Sequence, residues 1–205
     1  MNNFDRIAPF YDQLARIVFG SAIQKAQCFF LDQIRDNDTV LVLGGGTGWI
    51  VDAIMDHVPT AQITFIDNSK SMIEMAKNRI RVEHQSKVAF VEGEYFDRNR
   101  DDDFDVIFSA FYLDMFSQEE VSHILTDVSK NLKKSGKWIF TDFRYTTIGW
   151  QRYLLKLMYF FFKVACGVSA NKLANFDVEF MKLGLKAQMS RSFYFGMIES
   201  VTYSK

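Results

Sequence analysis

Short apolar runs alternate with amphipathic segments along most of the chain, from residue 39 onward. The runs have the length of buried strands, whereas the apolar residues between them recur every three or four positions, as in helices that pack one face on a sheet. The runs predict strands at 39–43, 62–66, 87–91, 104–109 and 137–143. The amphipathic segments predict helices at 49–57 and at about 70–80.

The predicted helix that follows residue 117 has the clearest signals. Ser117 and Glu120 match the capping box S-x-x-E, in which two side chains satisfy backbone N–H groups at a helix start. The apolar residues that follow at one-face spacing are Val121, Ile124, Leu125, Val128 and Leu132. Cations favour a helix C-terminus and glycine favours its termination, so the predicted end lies at Lys133, Lys134 and Gly136.

The last third of the chain contains an apolar helix, predicted at 150–166, and two further strands. The strands are predicted at 185–193 and 195–203 and would pair as a hairpin around Tyr194–Gly196. Buried strands that alternate with helices indicate a parallel sheet joined by right-handed crossovers. The predicted fold is therefore α/β, a doubly wound, Rossmann-like, mostly parallel seven-stranded sheet with an antiparallel C-terminal edge strand.

The composition fits a globular protein and narrows the range of partners. The net charge of −1 argues against a nucleic-acid-binding protein held by a broad basic surface. Cys28 and Cys166 lie far apart and show no metal-ligand spacing, so no metal site is expected. No signal peptide and no membrane-spanning apolar run is visible, so we expect a cytoplasmic protein. The 21 phenylalanines indicate either an apolar substrate pocket or lid, or a Phe-rich core.

A glycine-rich loop joins the first predicted strand to the first predicted helix. Its glycines are Gly44, Gly46 and Gly48, and Trp49 stands where the dinucleotide pattern G-x-G-x-x-G requires its third glycine. Asp67 ends the second predicted strand about twenty residues further on, where a carboxylate can accept hydrogen bonds from both ribose hydroxyls. Together they predict a nucleotide-type ligand at the helix N-terminus. Alternatively, the glycines form only a structural turn, and Asp67 is a solvated acid at the end of a strand.

Five segments in a fixed order resemble the motifs of the class I S-adenosylmethionine-dependent methyltransferases. They are VLVLGGGTG, ITFIDNSKSMIEMAKNR, VAFVEGEYFD, FDVIFSAFYLDMF and LKKSGKWIFTDF, and the resemblance runs from Phe4 to about Phe143. The opening segment FDRIAPFYDQLARIVFG is similar to the N-terminal segment of the ubiquinone/menaquinone methyltransferases and of bacterial phospholipid N-methyltransferases. The resemblance implies methyl transfer, with S-adenosyl-L-methionine as cofactor and S-adenosyl-L-homocysteine as its product.

The resemblance also implies which residues bind the cofactor. In the family, the glycines make room for the methionine part, the acid ending the second strand holds the ribose, and an acid after the third strand contacts the adenine. Carried over with their neighbours, these roles fall on Gly44, Gly46, Gly48, Asp67, Asn68, Met72, Glu94 and Tyr95, with Ser109 of the fourth strand as a further candidate. The Y-D element of the opening segment implies that Tyr11 folds over the cofactor. The alternative is a tyrosine that only packs on an amphipathic helix.

One position departs from the family pattern. The first motif usually has an acid two positions before its first glycine, which helps to hold the amino group of the cofactor, and here that position is Val42. Aminopropyltransferases, which use decarboxylated S-adenosylmethionine, often have the similar motif VLVIGGGDGG and are one alternative. Against them, the chain lacks a D-S-T-D-P-type signature and has little room for their N-terminal β-domain. A second alternative is a non-catalytic S-adenosylmethionine-binding protein.

The chemistry needs few side chains. The methyl group of a sulfonium is already activated, so catalysis depends mainly on positioning, and a base is required only when the acceptor must lose a proton. The candidate catalytic residues, at the end of the fourth predicted strand, are Asp114 and Tyr112. A helix cap is the alternative for Asp114, and a core or cofactor-lining position is the alternative for Tyr112. The histidines are expected to be structural or exposed: His57, His84 and His123.

The predicted helix at 150–166 indicates the kind of acceptor. Arg152, Lys156 and Lys163 share one helical face, and most other positions are Leu, Met, Tyr or Phe. This pattern fits a lid over a hydrophobic substrate, a helix at a membrane interface, or a sheet-covering helix with a basic edge. We therefore expect a small hydrophobic acceptor, a quinone precursor or a lipid-like molecule, and a peripheral membrane contact through 150–166.

The single predicted domain, 1–205, divides into four parts. Residues 1–38 form an N-terminal helical lid segment, and residues 39–143 form the cofactor-binding core. An apolar helical substrate or lid insertion is expected at 144–182, and a C-terminal β-hairpin at 183–205.

Overall fold

A computed structural model describes residues 4–5, 7–94, 103–168, 170 and 172–205, and its strands form one mixed sheet. The strands are β1 (Thr39–Leu43), β2 (Gln62–Asp67), β3 (Val88–Glu92), β4 (Phe104–Ala110), β5 (Leu132–Phe143), β6 (Lys186–Phe193) and β7 (Ile198–Ser204). Their order is β3-β2-β1-β4-β5-β7-β6. Strands β1 to β5 pair in parallel, and β7 is antiparallel to both of its neighbours. The predicted seven-stranded, doubly wound α/β fold is confirmed, and β6 is the edge strand beside the antiparallel β7.

Helices pack on both faces of this sheet. They are α1 (Ala8–Phe19), α2 (Ala22–Cys28), α3 (Trp49–His57), α4 (Lys70–Arg79), α5 (Val82–Gln85), α6 (Gln118–Val128), α7 (Gly149–Cys166) and α8 (Phe176–Lys182). Val40 and Val42 of β1 belong to one hydrophobic cluster with α3 and α4, whereas Leu41 and Leu43 belong to another with α6 and α8. Alternate residues of a strand point to opposite faces, so β1 is buried on both sides.

The start of α6 has the predicted capping box. Ser117 Oγ accepts a hydrogen bond from Glu120 N at 3.4 Å, and Glu120 Oε2 accepts one from Ser117 N at 2.7 Å. The two side chains therefore satisfy backbone donors that have no partner within the helix.

The end of α6 differs from the prediction. The helix ends at Val128, and Leu132 instead begins β5, where it lies opposite Phe104. The register of β4 and β5 shifts directly after this pair, since the next partners are Val106 and Lys137. Lys133, Lys134 and Gly136 therefore belong to β5. Their predicted place at the end of the helix was wrong.

The last third of the chain follows the predicted order of elements. The predicted apolar helix is α7, which ends before Gly167, a residue with φ +72°. The predicted hairpin is formed by β6 and β7, with Tyr194–Gly196 between them. Among the described residues, no helix has the length and apolar character needed to cross a membrane.

The strand order of the sheet reverses at β1. It pairs with β2 on one side and with β4 on the other, so successive crossovers leave it in opposite directions. In open α/β sheets the loops at the carboxyl ends of two such strands separate and leave a crevice. Here that crevice lies beyond Leu43 of β1 and Ala110 of β4.

Candidate active site

A cavity lies at the carboxyl ends of β1 and β2, beside the start of α3. This is the crevice expected where the strand order reverses. Most of the predicted site residues line it together, although they come from distant segments of the chain. These residues are Tyr11, Gly44, Gly46, Asp67, Asn68, Met72, Glu94 and Tyr112. We call this space the glycine-loop cavity.

The glycine loop leaves room for a ligand at one position and permits close packing at two others. Gly44, Gly46 and Gly48 have φ of +59, +57 and +80°, a region that favours glycine. A Cβ built on Gly46 would meet no atom within 4 Å, so space remains beside its backbone. A Cβ on Gly44 would lie 2.2 Å from the ring of Tyr112, and one on Gly48 would lie 2.6 Å from Cα of Ala76. Gly48 does not line the cavity and instead allows α3 to pack closely on α4.

Asp67 ends β2, and its carboxylate faces the glycine loop. Oδ2 accepts a hydrogen bond from Gly46 N at 3.0 Å, and Oδ1 accepts one from Ser69 N at 2.9 Å. Burial raises the pKa of Asp67, while the backbone N–H groups of Ser69, Gly46 and Asn68 act in the opposite direction. Each carboxylate oxygen can accept a further hydrogen bond. Asp67 therefore fits a ligand that carries two neighbouring hydroxyls, as a ribose does.

Asp12 of α1 ties the N-terminal helix to the glycine loop. The Thr47 hydroxyl donates to Asp12 Oδ1 at 2.9 Å, and Arg79 Nη2 lies 2.7 Å from Asp12 Oδ2. Asp12 also lines the glycine-loop cavity. Asp12 was not among the predicted site residues, although its place directly after Tyr11 in the Y-D element was an available signal. Val42, where the family usually has an acid, is fully buried in β1.

A second tie joins the N-terminal segment to the start of α4. The Ser69 hydroxyl donates to Asp5 Oδ1 at 2.6 Å, and Ser71 N donates to the same oxygen at 3.1 Å. Ser69 Oγ also accepts a hydrogen bond from Met72 N at 3.2 Å and so caps α4. These contacts hold the segment that precedes α1 beside the residues that follow Asp67.

A second cavity, of about 300 Å³, lies between α1 and α7. Its lining is mostly aliphatic and aromatic, and we call it the apolar cavity. It shares part of its lining with the glycine-loop cavity, namely Phe4, Tyr11, Ala15, Ile23, Phe111 and Met115. The two cavities are therefore adjacent, and the shared residues form the boundary between them.

Tyr11 stands at this boundary. Its ring contacts that of Phe4, with the centroids 6.5 Å apart in an edge-to-face arrangement. Burial raises the pKa of Tyr11, and the negative charges of Asp114 and Asp12 raise it further. The hydroxyl therefore stays protonated at neutral pH.

Phe111, directly after β4, lies at the same boundary and has an unusual backbone conformation. Its φ is +51°, which is rare for a bulky residue, and its N–H donates to Thr141 O at 2.9 Å. Such conformations persist where the surroundings impose them, and they cluster at functional sites. The sequence did not indicate a left-handed conformation at Phe111, because only glycine, asparagine and aspartate commonly adopt one.

Asp114 brings a carboxylate to the wall of the apolar cavity. Its Oδ1 is buried and has no hydrogen-bond partner among the described residues. Its backbone N–H donates to Asp142 Oδ2 at 3.2 Å, and the Tyr159 hydroxyl donates to the Asp114 carbonyl at 3.4 Å. Burial raises the pKa of Asp114 to about 7. This carboxyl group therefore changes its charge in the neutral range, where a general base is most effective.

Asp142 of β5 is the second buried carboxyl group in this region. Its Oδ1 accepts a hydrogen bond from Phe143 N at 2.8 Å. Burial raises the pKa of Asp142 well above its usual range, and the charge of Asp114 adds to this effect, whereas the charge of Arg144 opposes it. Asp142 lines neither cavity. An aspartate inside the apolar strand sequence WIFTDF was the signal that could have drawn attention to it.

The other predicted residues have different positions. Ser109 is buried in β4, accepts a hydrogen bond from Trp138 Nε1 at 2.8 Å, and lines neither cavity. Tyr112 lines the glycine-loop cavity, and burial raises its pKa, so its phenol stays protonated. Tyr95 lies outside the described residues. The histidines also line neither cavity: His57, His84 and His123.

Comparison with known proteins places this architecture in a family. Residues 40–136 match a family described as a methyltransferase domain. The malonyl-acyl-carrier-protein O-methyltransferase of Bacillus cytotoxicus is 32% identical over 146 residues, which make up 68% of this chain and 48% of that protein. The chain belongs to the class I S-adenosylmethionine-dependent methyltransferases. The demethylmenaquinone methyltransferase of Thermotoga maritima is 29% identical over 149 residues, 69% of this chain and 60% of that protein.

Solved structures show the same fold for this methyltransferase domain. The mitomycin 7-O-methyltransferase superimposes with a TM-score of 0.74 at 17% identity, over 99% of this chain and 60% of that one. The chain spans about half the length of the Bacillus relative. The predicted family, enzyme class and cofactor are confirmed at the level of the family.

Proposed function

We propose that this chain transfers a methyl group from S-adenosylmethionine to a small hydrophobic acceptor, a quinone precursor or a lipid-like molecule, held in the apolar cavity. The shared boundary of the two cavities carries this proposal. Tyr11, Phe111 and Met115 line both spaces, so ligands in the two cavities would meet there. Transfer between two bound molecules requires this adjacency, because proximity and alignment supply most of the rate.

The residues of the glycine-loop cavity fit the cofactor. Asp67 would accept hydrogen bonds from the ribose hydroxyls, and the open backbone at Gly46 would lie along the methionine part. Asn68, Met72 and Glu94 would lie near the adenine, as the family resemblance implies. When bound, the cofactor supplies a methyl group on a positively charged sulfur, which needs no further activation.

Among the described residues that line the apolar cavity, Asp114 has the one side chain suited to removing a proton. An acceptor that reacts through a hydroxyl, or through a ring carbon of a quinol, gains a methyl group and loses a proton. The ionised Asp114 can take that proton, because its Oδ1 is not engaged by another described residue. The Thermotoga relative, named a demethylmenaquinone methyltransferase, supports a quinol as the acceptor.

A labelled-transfer assay tests the proposed function. The purified chain is incubated with S-adenosylmethionine labelled in its methyl group and with a short-chain demethylmenaquinol kept reduced. We expect label in the organic extract and one S-adenosylhomocysteine formed per methyl group transferred. A malonyl thioester serves as the comparison, since the Bacillus relative is named for a malonyl acceptor. Cofactor binding without transfer to any apolar acceptor would contradict the proposal.

The same assay separates methyl transfer from aminopropyl transfer. Both named relatives are methyltransferases, which favours the former. Decarboxylated S-adenosylmethionine is therefore expected to yield no aminopropyl product with the same acceptors.

Asp12 is the residue best placed to replace the acid that is missing at Val42. It comes from α1 instead of β1, and it presents a carboxylate to the same cavity beside Thr47. We propose that this carboxylate contacts the amino group of the cofactor. A residue of α1 would thus take over the contact that an acid at position 42 makes in other members of the family.

Asp12→Asn is expected to weaken S-adenosylmethionine binding by roughly two- to fivefold, the effect of one partly exposed charged contact. Methylthioadenosine has the same adenine and ribose but no amino-acid part, so its affinity should not change. Isothermal titration with both ligands measures the difference. An equal loss for both would show that Asp12 acts only by holding α1 to Thr47 and Arg79.

A further inference from the structure

The solvent-facing side of α7 carries two strips of different character. The basic strip consists of Arg152, Lys156 and Lys163. The apolar strip consists of the largely exposed residues Tyr153 (71%), Leu157 (51%), Phe160 (67%) and Val164 (71%). At about 3.6 residues per turn, the strips lie side by side along the exposed half of the helix. The opposite half is buried through Gln151, Leu155 and Cys166.

Helix α1 adds a second exposed apolar row. Phe10, Leu14 and Ile17 lie about one turn apart and are 66%, 36% and 81% exposed. Leu14 of α1, with Leu157 and Phe161 of α7, is exposed and also lines the apolar cavity. The cavity therefore reaches the surface between the two helices. We call the exposed sides of α1 and α7 together the α1/α7 face.

The charge of this face indicates its partner. Helix α7 contains three cations and no Asp or Glu, so the helix as a whole is positively charged. A contact between two copies through this face would bring two positively charged helices together, and like charges oppose association. An anionic bilayer surface instead offers phosphate groups to the cations and an apolar layer to the aromatic side chains. Exposed apolar patches on soluble proteins commonly mark such contact sites.

We propose that the α1/α7 face binds the surface of an anionic lipid bilayer. The apolar strip enters the boundary between headgroups and acyl chains, and the basic strip contacts the headgroups. The mouth of the apolar cavity then faces the lipid, so an acceptor dissolved in the bilayer enters the cavity without crossing water. Binding to the bilayer does not depend on the proposed function, whereas the entry of the acceptor rests on it.

Vesicle sedimentation with the full chain tests this proposal. The vesicles consist of phosphatidylcholine alone or of equal parts phosphatidylcholine and phosphatidylglycerol. We expect binding to the anionic vesicles that weakens with added salt, and much weaker binding to the neutral ones. The double variant Arg152→Glu/Lys156→Glu should bind the anionic vesicles at least about tenfold more weakly.

Matched variants distinguish an effect of the α1/α7 face on vesicle binding from an effect of the protein's overall charge or hydrophobicity. Lys134→Glu/Lys186→Glu has the same net charge but alters exposed residues near the amino ends of β5 and β6, and it should bind like the unaltered chain. Phe160→Ser should weaken binding, whereas Val82→Ser, at an 82% exposed position of α5, should not. S-adenosylmethionine titration of every variant checks that the fold is intact.

Three results would overturn the proposal. They are no binding of the unaltered chain to anionic vesicles, an equal loss in both double variants, and a dimer in analytical ultracentrifugation that Phe160→Ser abolishes. The last would assign the face to contacts between copies of this chain. By contrast, vesicle binding without methyl transfer to any acceptor would leave this inference intact and refute only the proposed function.

Discussion

Asp114→Asn is expected to lower the rate of methyl transfer to a quinol acceptor by about 100- to 10,000-fold, the range for loss of a general base. Asparagine keeps the size of the side chain but cannot take up a proton. Because Asp114 does not line the glycine-loop cavity, the affinity for S-adenosylmethionine should stay the same. Single-turnover rates and isothermal titration measure the two quantities separately.

The pH profile provides an independent check of the same assignment. Burial raises the pKa of Asp114 to about 7, so the ionised form that accepts a proton predominates only above that pH. The rate constant kcat/KM of the unaltered chain should therefore rise with pH and level off above about 7. In Asp114→Asn this inflection should disappear.

The stability of the same variant should change in the opposite direction from its activity. The folded-state pKa of Asp114 lies above its unfolded value, so the unfolded chain releases this proton first as pH rises. The free energy of unfolding should thus fall between about pH 4 and pH 7, and Asp114→Asn removes that fall. At pH 8 the variant should be more stable, by roughly 1–3 kcal/mol. Thermal unfolding at pH 5 and pH 8 measures this difference.

Asp142→Asn is the control for Asp114, since Asp142 is a buried carboxyl group of the same region that lines neither cavity. Both of its oxygens accept backbone N–H groups, from Asp114 and Phe143, and the asparagine amide can accept only one of them. Loss of this hydrogen bond destabilises the fold, whereas removal of a buried carboxyl group with a raised pKa stabilises it. We therefore expect a smaller gain in stability at pH 8 than in Asp114→Asn, with most of the transfer rate retained. Equal losses of rate in the two variants would contradict the assignment of Asp114 as the base.

Asp67→Ala is expected to weaken S-adenosylmethionine binding by roughly 100-fold or more. The estimate corresponds to two hydrogen bonds to a charged group, each worth about 1.5–3 kcal/mol. The substitution also releases Gly46 N and Ser69 N, the two backbone groups that the carboxylate now holds in place. Isothermal titration with S-adenosylmethionine and S-adenosylhomocysteine, with NAD as a ligand that should not bind, gives the result.

Asp38→Ala is the control for Asp67. Asp38 also accepts a backbone N–H, from Arg35 at 2.8 Å, but lies outside the glycine-loop cavity. Its removal should leave cofactor binding unchanged. If Asp67→Ala binds the cofactor as tightly as the unaltered chain does, Asp67 does not contact the ribose.

Local signals in the sequence were enough to predict the sheet and much of the lining of the glycine-loop cavity. The apolar run of β1, the glycines after it and the acid at the end of β2 each depend on residues close together in the chain. The crossover rule then brings the ends of β1 and β2 to one edge of the sheet. Asp67 and Gly46 therefore meet at 3.0 Å, although 21 positions separate them.

Features that depend on contacts between distant segments were not predictable in the same way. The early end of α6 results from the pairing of Leu132 with Phe104, which a helical spacing cannot reveal. The positive φ of Phe111 is imposed by its surroundings. The raised pKa of Asp114 follows from burial beneath α1 and α7, and the sequence of one strand end contains no information about that burial.

Helix α1 contributes side chains to both cavities, and this has a consequence for thermodynamic coupling. Tyr11 and Ala15 touch both spaces, while Asp12 fixes the helix to Thr47 and Arg79. Any shift of α1 that accompanies one ligand must change the free energy of binding of the other, and by linkage the effect is equal in both directions. A substitution in α1 that alters the affinity for the acceptor is therefore expected to alter cooperativity with the cofactor as well.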